Sequence, residues 1–555
     1  MEPKDQALEF FKLEPQKAAE RLDALPLDRR VDLVLSLPGG KQRMDLILMS
    51  SQPEELTRAV PPEDLVLSIK DIGDTDAIPI LEMASDRQLN YLFDLELWIR
   101  EGMDLARLLH WIEILFECGK PRVQSWLRSV DFELLVLLFE RTVLLLEPEE
   151  LENLPERLND RIYTPDNTHY LLIKLGTDYG LVTNLLDLMF AKYPDMFFAL
   201  TGNLGTTPPA EVEELAYRWR TGRLADRGWP DFNEALEMYQ PAEPDQMHSH
   251  DRLPFGIDDP PRFPLERRYT GRLLQAGLEK LEPDIRNLVA GQLANLINRV
   301  IIADGLLPGE AESLQLASSR VRGRLEIGLG LLGSGDPETA ARLLRTVPLV
   351  DVARVAQGAI SRRVQRARKI MSAKSAGLLD WLPAPLPDCL QALLAPRPLF
   401  VPFEEMLPRE FKDGADLDML DQDLDLIEAA FVMGDSLGLK PSALKTIPGS
   451  IPESPEGLTF YTLLLTVFAR ETLELSAKPE PLPAGKLKAL FERLPKERDA
   501  LYRVLRDWAR RLADPEPPGL DRLTAALARL AWQEILVHPP EELDARFIEG
   551  LWLVK

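Results

Sequence analysis

Apolar residues in the first hundred positions come in short bursts. From Ala18 to about Trp98 their helical spacing is broken by proline at Leu25-Pro26, Leu37-Pro38-Gly39 and Val60-Pro61-Pro62. No burst is long enough to bury its own face, so successive short helices have to stack. Start signals agree with this reading. Pro62, Glu63 and Asp64 suit the free N–H groups and positive end of a first turn, and Ser85-Asp86-Arg87-Gln88 spells a capping box ahead of Leu89, Leu92 and Phe93. Longer core-facing helical stretches follow at Leu105 to Glu117, Val123 to Leu127 and Phe132 to Leu146. The period then changes. Arg161-Ile-Tyr163, a Pro165-Asp166-Asn167 turn and Tyr170 to Lys174 predict a β-hairpin. Leu181 to Tyr193 is helical again. Thr207-Pro208-Pro209 opens a further helix with Glu211, Glu213 and Glu214 early and Arg218 and Arg220 late, and Gly222 is expected to stop it.

The fold expected is mainly α, a superhelix of stacked short helices of helical-repeat type with a small β-hairpin in its central region. Proline-rich breaks suggest five parts: a helical-repeat domain at 1–155; a central helical region with the hairpin and a Pro-rich loop at 156–265; a helical domain with a basic helix at 266–382; a Pro-rich and acidic linker region at 383–457; and a C-terminal helical region at 458–555.

Two resemblances bear on this. Around Pro61-Pro62-Glu63-Asp64, the N-terminal part resembles the cytosolic helical superhelix of MgtE-type magnesium transporters and of flagellar motor-switch proteins. That likeness implies a module that passes on protein contacts or senses cations, and it brings no ligand-binding motif to particular residues. The segment from Tyr217-Arg-Trp-Arg-Thr-Gly-Arg-Leu to Glu234-Ala-Leu-Glu-Met-Tyr239 resembles the signature of an uncharacterised bacterial domain-of-unknown-function family. It implies a fold shared along most of the chain and no known activity.

A net charge of -25 and a sequence pI near 4.8 repel phosphate backbones and anionic lipid, so no nucleic-acid partner is expected. Cys118 and Cys389 form no CxxC pair, which suits buried thiols in a reducing cytoplasm. The opening MEPKDQALEF lacks a basic and then apolar order, and Gly457 to Ala469 falls short of the ~20 residues that span a bilayer, so no membrane insertion is expected.

Motifs with catalytic or metal-binding spelling stand in unsuitable surroundings. Gly328, Gly330 and Gly333 match GxGxxG, but Val321-Arg-Gly-Arg-Leu-Glu-Ile before them is no buried strand, so close helix packing is the expected role. Gly434-Asp-Ser436-Leu-Gly438 spells the GDSL string of a hydrolase family, yet it follows the helical spacing of Leu420, Leu424, Ile427 and Phe431. Gly434 is therefore expected to end a helix, with Ser436 in a turn and no nucleophile elbow. His248-Ser-His250-Asp251 lies between prolines and predicts a loop. Asp421, Asp423 and Asp425 begin like a calcium loop, but Leu426 replaces its glycine and Val432 its closing glutamate. No catalytic residue, metal ligand or cofactor is assigned.

Two basic clusters remain as candidate binding residues. Arg218, Trp219, Arg220 and Arg223 could hold a phosphate or carboxylate. Between Val352 and Leu379 lie seven basic residues and no acidic ones; Arg362 and Lys369 fall on the polar face of a helix with Arg366 close by, while Arg363 falls on the apolar side, where it needs a buried carboxylate or an anion. The function expected is a non-catalytic scaffold or regulatory protein with a protein partner; the alternative is an enzyme or anion-binding protein with its site at Arg218–Arg223. The oligomeric state is open.

Overall fold

A computed structural model describes residues 3–99, 101–247, 272–372, 374–439 and 459–554. The fold is mainly α, with small sheets of two or three strands. Contacts group it into two compact units. One is formed by the described residues of Met1–Tyr239, His248–Arg322 and Pro337–Asp351, the other by those of Gln240–Met247, Gly323–Asp336 and Val352–Lys555.

Unit one begins with eight helices of 6 to 11 residues, from Pro3–Phe10 to Asp86–Glu96. Each packs on the helix two places further along, and the pattern continues into Leu105–Glu117 and Lys120–Ser129. Short helices that bury one face against a second neighbour solve the problem posed by the proline breaks. Pro62 stands in a first turn and the Ser85 capping box is formed. Polar groups reach across the stack. The Gln88 amide donates to the Thr57 and Val60 carbonyls at 2.8 and 2.7 Å, and buried Arg43 donates to the Leu37 carbonyl at 2.9 Å while facing Asp64. Gly40 must be glycine: a Cβ there would lie 2.4 Å from the Ser68 carbonyl oxygen.

The hairpin exists and belongs to a larger sheet. Ile162–Tyr163 and Tyr170–Ile173 pair antiparallel, and Val143–Leu146 adds a third strand on the other side of Tyr170–Ile173. This corrects the expected helix Phe132 to Leu146, which ends at Thr142. Val143-Leu-Leu-Leu146 is a short apolar run in which helix and strand patterns coincide, and the available strand partner decides between them. Asp166 closes the turn by accepting from the Thr168 and His169 amides, each at 2.9 Å, with Asn167 at φ 57°.

A large apolar core of unit two includes Phe400, Phe411, Phe431, Phe460, Phe468 and Trp508. Within the Pro-rich, acidic stretch, helix Gly414–Ser436 contributes Leu417, Leu420, Leu424, Ile427 and Phe431 to this core. The helix passes through Gly434, whose Cβ position lies 2.8 Å from Leu378 Cδ1, and reaches Ser436; the turn comes at Gly438, φ +62°. The expected helix end at Gly434 was therefore early, because that glycine serves packing. Gly328 likewise sits inside helix Ala311–Gly333, where a Cβ would come within 2.2 Å of the Val352 carbonyl oxygen. Among the described residues no helix is long and apolar enough to cross a membrane.

Candidate functional site

The signature segment opens with helix Pro209–Ala225, which has proline and Glu211 in its first turn and Arg223 in its last. It runs three residues beyond the expected stop at Gly222, whose Cβ position meets nothing within 4 Å. A glycine costs a helix only about 1 kcal/mol, and inward anchors stand on either side of this one. Those anchors are specific. Glu213 accepts from the Met103 amide at 2.8 Å and from Arg141 at 2.7 Å. Arg220, 7% exposed, donates from Nε to the Asp94 carbonyl at 2.6 Å. Its guanidinium carbon lies 5.7 Å from the ring centres of both Trp98 and Tyr217, close enough for cation–π attraction.

Arg223 clasps the Asp94 carboxylate with Nε and Nη2 at 2.9 and 2.7 Å and reaches Asp131 with Nη1 at 2.9 Å. Burial opposes its charge, but the two carboxylates hold its pKa above the ordinary arginine value. Burial pulls the Arg220 pKa the other way, below that value. Further along, Arg227 pairs with Glu63 at 2.6 Å and the Trp229 indole donates to the Tyr91 hydroxyl at 3.1 Å. Tyr239 donates to the Asp304 carboxylate at 2.9 to 3.0 Å.

A cleft opens beside these anchors. It is lined by Asn90, Asp94, Trp98, Ser129, Asp131, Ala216, Arg220, Arg223 and their apolar neighbours, and spans about 360 Å³ with the open solvent at its mouth included. The other two members of the cluster do not line it. Arg218 is exposed and pairs with Glu214 at 2.5 Å, and Trp219 is 57% exposed.

A family-wide match accompanies this geometry: the model of a family of unknown function, DUF6178, matches residues 19–554. The chain belongs to that family. No curated protein and no solved structure matches it, so the likeness of its N-terminal part to MgtE-type and motor-switch superhelices rests on sequence alone. Membership of DUF6178 carries a shared fold and no activity.

The second basic cluster of this DUF6178 chain is engaged within its own unit. Arg362 meets both Glu243 carboxylate oxygens at 2.6 Å. Arg363 pairs with Asp421 at 2.5 Å, a carboxylate that is 38% exposed and not buried. Arg366 pairs with Asp425 at 2.5 Å and Glu428 at 2.8 Å. Lys369 is exposed. The aspartates read against a calcium loop are therefore mostly arginine partners, and among the described residues no group of acids, histidines and cysteines is placed to hold a metal ion. Ser436, the serine of the GDSL string, is exposed on a helix and donates to the Val432 carbonyl at 3.0 Å. His248, His250 and Asp251 lie outside the described residues.

Asp94, Asp131, Asn90, Trp98 and Ser129 were not singled out in the sequence. One signal pointed to Asp94. It stands between Phe93 and Leu95 on a core-facing helix, where an acid needs a basic partner. Its partner lies 129 residues away.

Proposed function

We propose that this protein is a non-catalytic, cytoplasmic helical-repeat scaffold that docks a partner protein on the outer face of helix Pro209–Ala225. The exposed indole of Trp219 carries the reading. In a helix whose Arg220 and Arg223 are locked inward, Trp219 is left 57% exposed and Leu215, one turn away, 38% exposed. Side chains four apart on a helix share a face, and tryptophan and arginine dominate interface energetics. Glu211, Glu214 and Asp226 outnumber Arg218 on that exposed face. Charge complementarity then calls for a partner with an apolar groove rimmed by lysine or arginine. The regular packing of each N-terminal helix on the next but one supports the repeat character.

A photo-crosslinking residue placed at Leu215 in the full chain, in the native cell, tests this. One dominant protein adduct is expected, weakened at least tenfold by Trp219→Ala and by raised salt. Adducts no stronger than those from a crosslinker at exposed Lys41 would overturn the proposal.

A further inference from the structure

Arg220 is almost completely buried and only partly used. Nε donates to the Asp94 carbonyl, but among the described residues no hydrogen bond or ion pair reaches its Nη1 or Nη2 group. Those two nitrogens carry four N–H donors. Arg223, on the same helix, spends its Nε, Nη1 and Nη2 groups on Asp94 and Asp131. The guanidinium stands beside two aromatic rings whose centres are themselves 5.7 Å apart, and its free donors open to solvent at the cleft, where an entering acceptor would take the place of water. Arg220 lines the cleft with the neutral polar side chains of Asn90 and Ser129, so an acceptor has a place to stand.

Shape and charge narrow the choice. The planar edge formed by Nη1 and Nη2 matches the two oxygens of one carboxylate. Two arginines and two aspartates at the cleft sum to zero, so a monoanion leaves one net negative charge there and a dianion two, which favours the monoanion over the dianion. The enclosed part of the cleft is only about 20 Å³, room for the few atoms of one small polar group, and this excludes nucleotides. We propose that the cleft binds one small free monocarboxylate, of the size of formate or acetate, held by the outer edge of the Arg220 guanidinium. Trp219 is not part of the cleft, so this site stands apart from the docking face.

Thermal unfolding and tryptophan fluorescence of the full chain, titrated with acetate, formate, chloride or phosphate at constant ionic strength, test the proposal. Acetate and formate are expected to raise the melting temperature saturably, by about 2–4 °C, and to change the fluorescence through Trp98, while chloride and phosphate do neither. Arg220→Gln abolishes the response. Should that variant fail to fold, Asn90→Asp, which sets a carboxylate into the cleft wall, removes the response from a folded protein. The proposal fails if wild-type protein shows no saturable response to either carboxylate, if chloride acts equally well, or if the response survives both substitutions.

Discussion

Asp423 shows how differently neighbouring residues of one type behave. Asp416, Asp421 and Asp425 of the acidic helix are each paired with an arginine. Asp423 instead faces the Cys389 thiol, Sγ to Oδ2 at 3.8 Å, and its pKa is pushed up to about 6 by burial, opposed by Arg522 and by the thiol. An unfolded aspartate titrates near 4, so the folded form holds its proton more tightly. The stability this confers is complete below about pH 4 and is lost as pH rises through about 6. Asp423→Asn should therefore stabilise the protein by about 1–2 kcal/mol at pH 8 and leave it unchanged at pH 4, read from denaturant midpoints at the two values. Cys389, raised to about 12 chiefly by burial and then by Asp423 and Asp388, should resist alkylation at pH 7.5 until the chain is unfolded. In the sequence these aspartates were a single row. Their partners Arg409, Arg363, Arg366 and Cys389 belong to other elements, so nothing local distinguished them.

At the scale of the helix, two glycines make opposite predictions. Gly222 lies inside helix Pro209–Ala225 with open space at its Cβ position, so Gly222→Ala should stabilise by about 0.5–1 kcal/mol. Gly323 would place a Cβ 1.6 Å from the Phe411 carbonyl oxygen, and Gly323→Ala should destabilise by several kcal/mol or prevent folding. Circular-dichroism melts of the two variants check both signs. Arg223→Met should cost about 2–4 kcal/mol, since it strands Asp94, 6% exposed at its side chain, without its bidentate partner; adding Asp94→Leu should restore part of that loss. The sequence displayed much of this level directly. Proline breaks, the Ser85 capping box and the Pro165-Asp166-Asn167 turn are local devices and were read in place. The ends at Thr142, Ala225 and Ser436 were misplaced because each is set by a contact made elsewhere: the strand Tyr170–Ile173, the anchors of Arg220 and Arg223, and the seat of Gly434 against Leu378.

In the sequence, the segregation of a basic helix from an acidic one suggested contact with an acidic surface, either in the same chain or in a partner. Within unit two those charges face each other, the first of these alternatives. Arg362, Arg363 and Arg366 already hold Glu243, Asp421, Asp425 and Glu428. A negatively charged protein gains little by offering such spent arginines to another molecule, whereas an exposed tryptophan has no internal role to give up. Reversing charge at Arg362→Glu with Lys369→Glu separates the two ideas. Arg362 and Glu243 are each about half exposed, so losing their pair should cost no more than about 1 kcal/mol and leave the fold intact. If docking lies on the outer face of helix Pro209–Ala225, the cross-link from Leu215 keeps its full yield in this double variant and disappears only with Trp219→Ala. Equal loss in both would move the partner's footprint to include the basic helix, and loss in the double variant alone would place it there entirely.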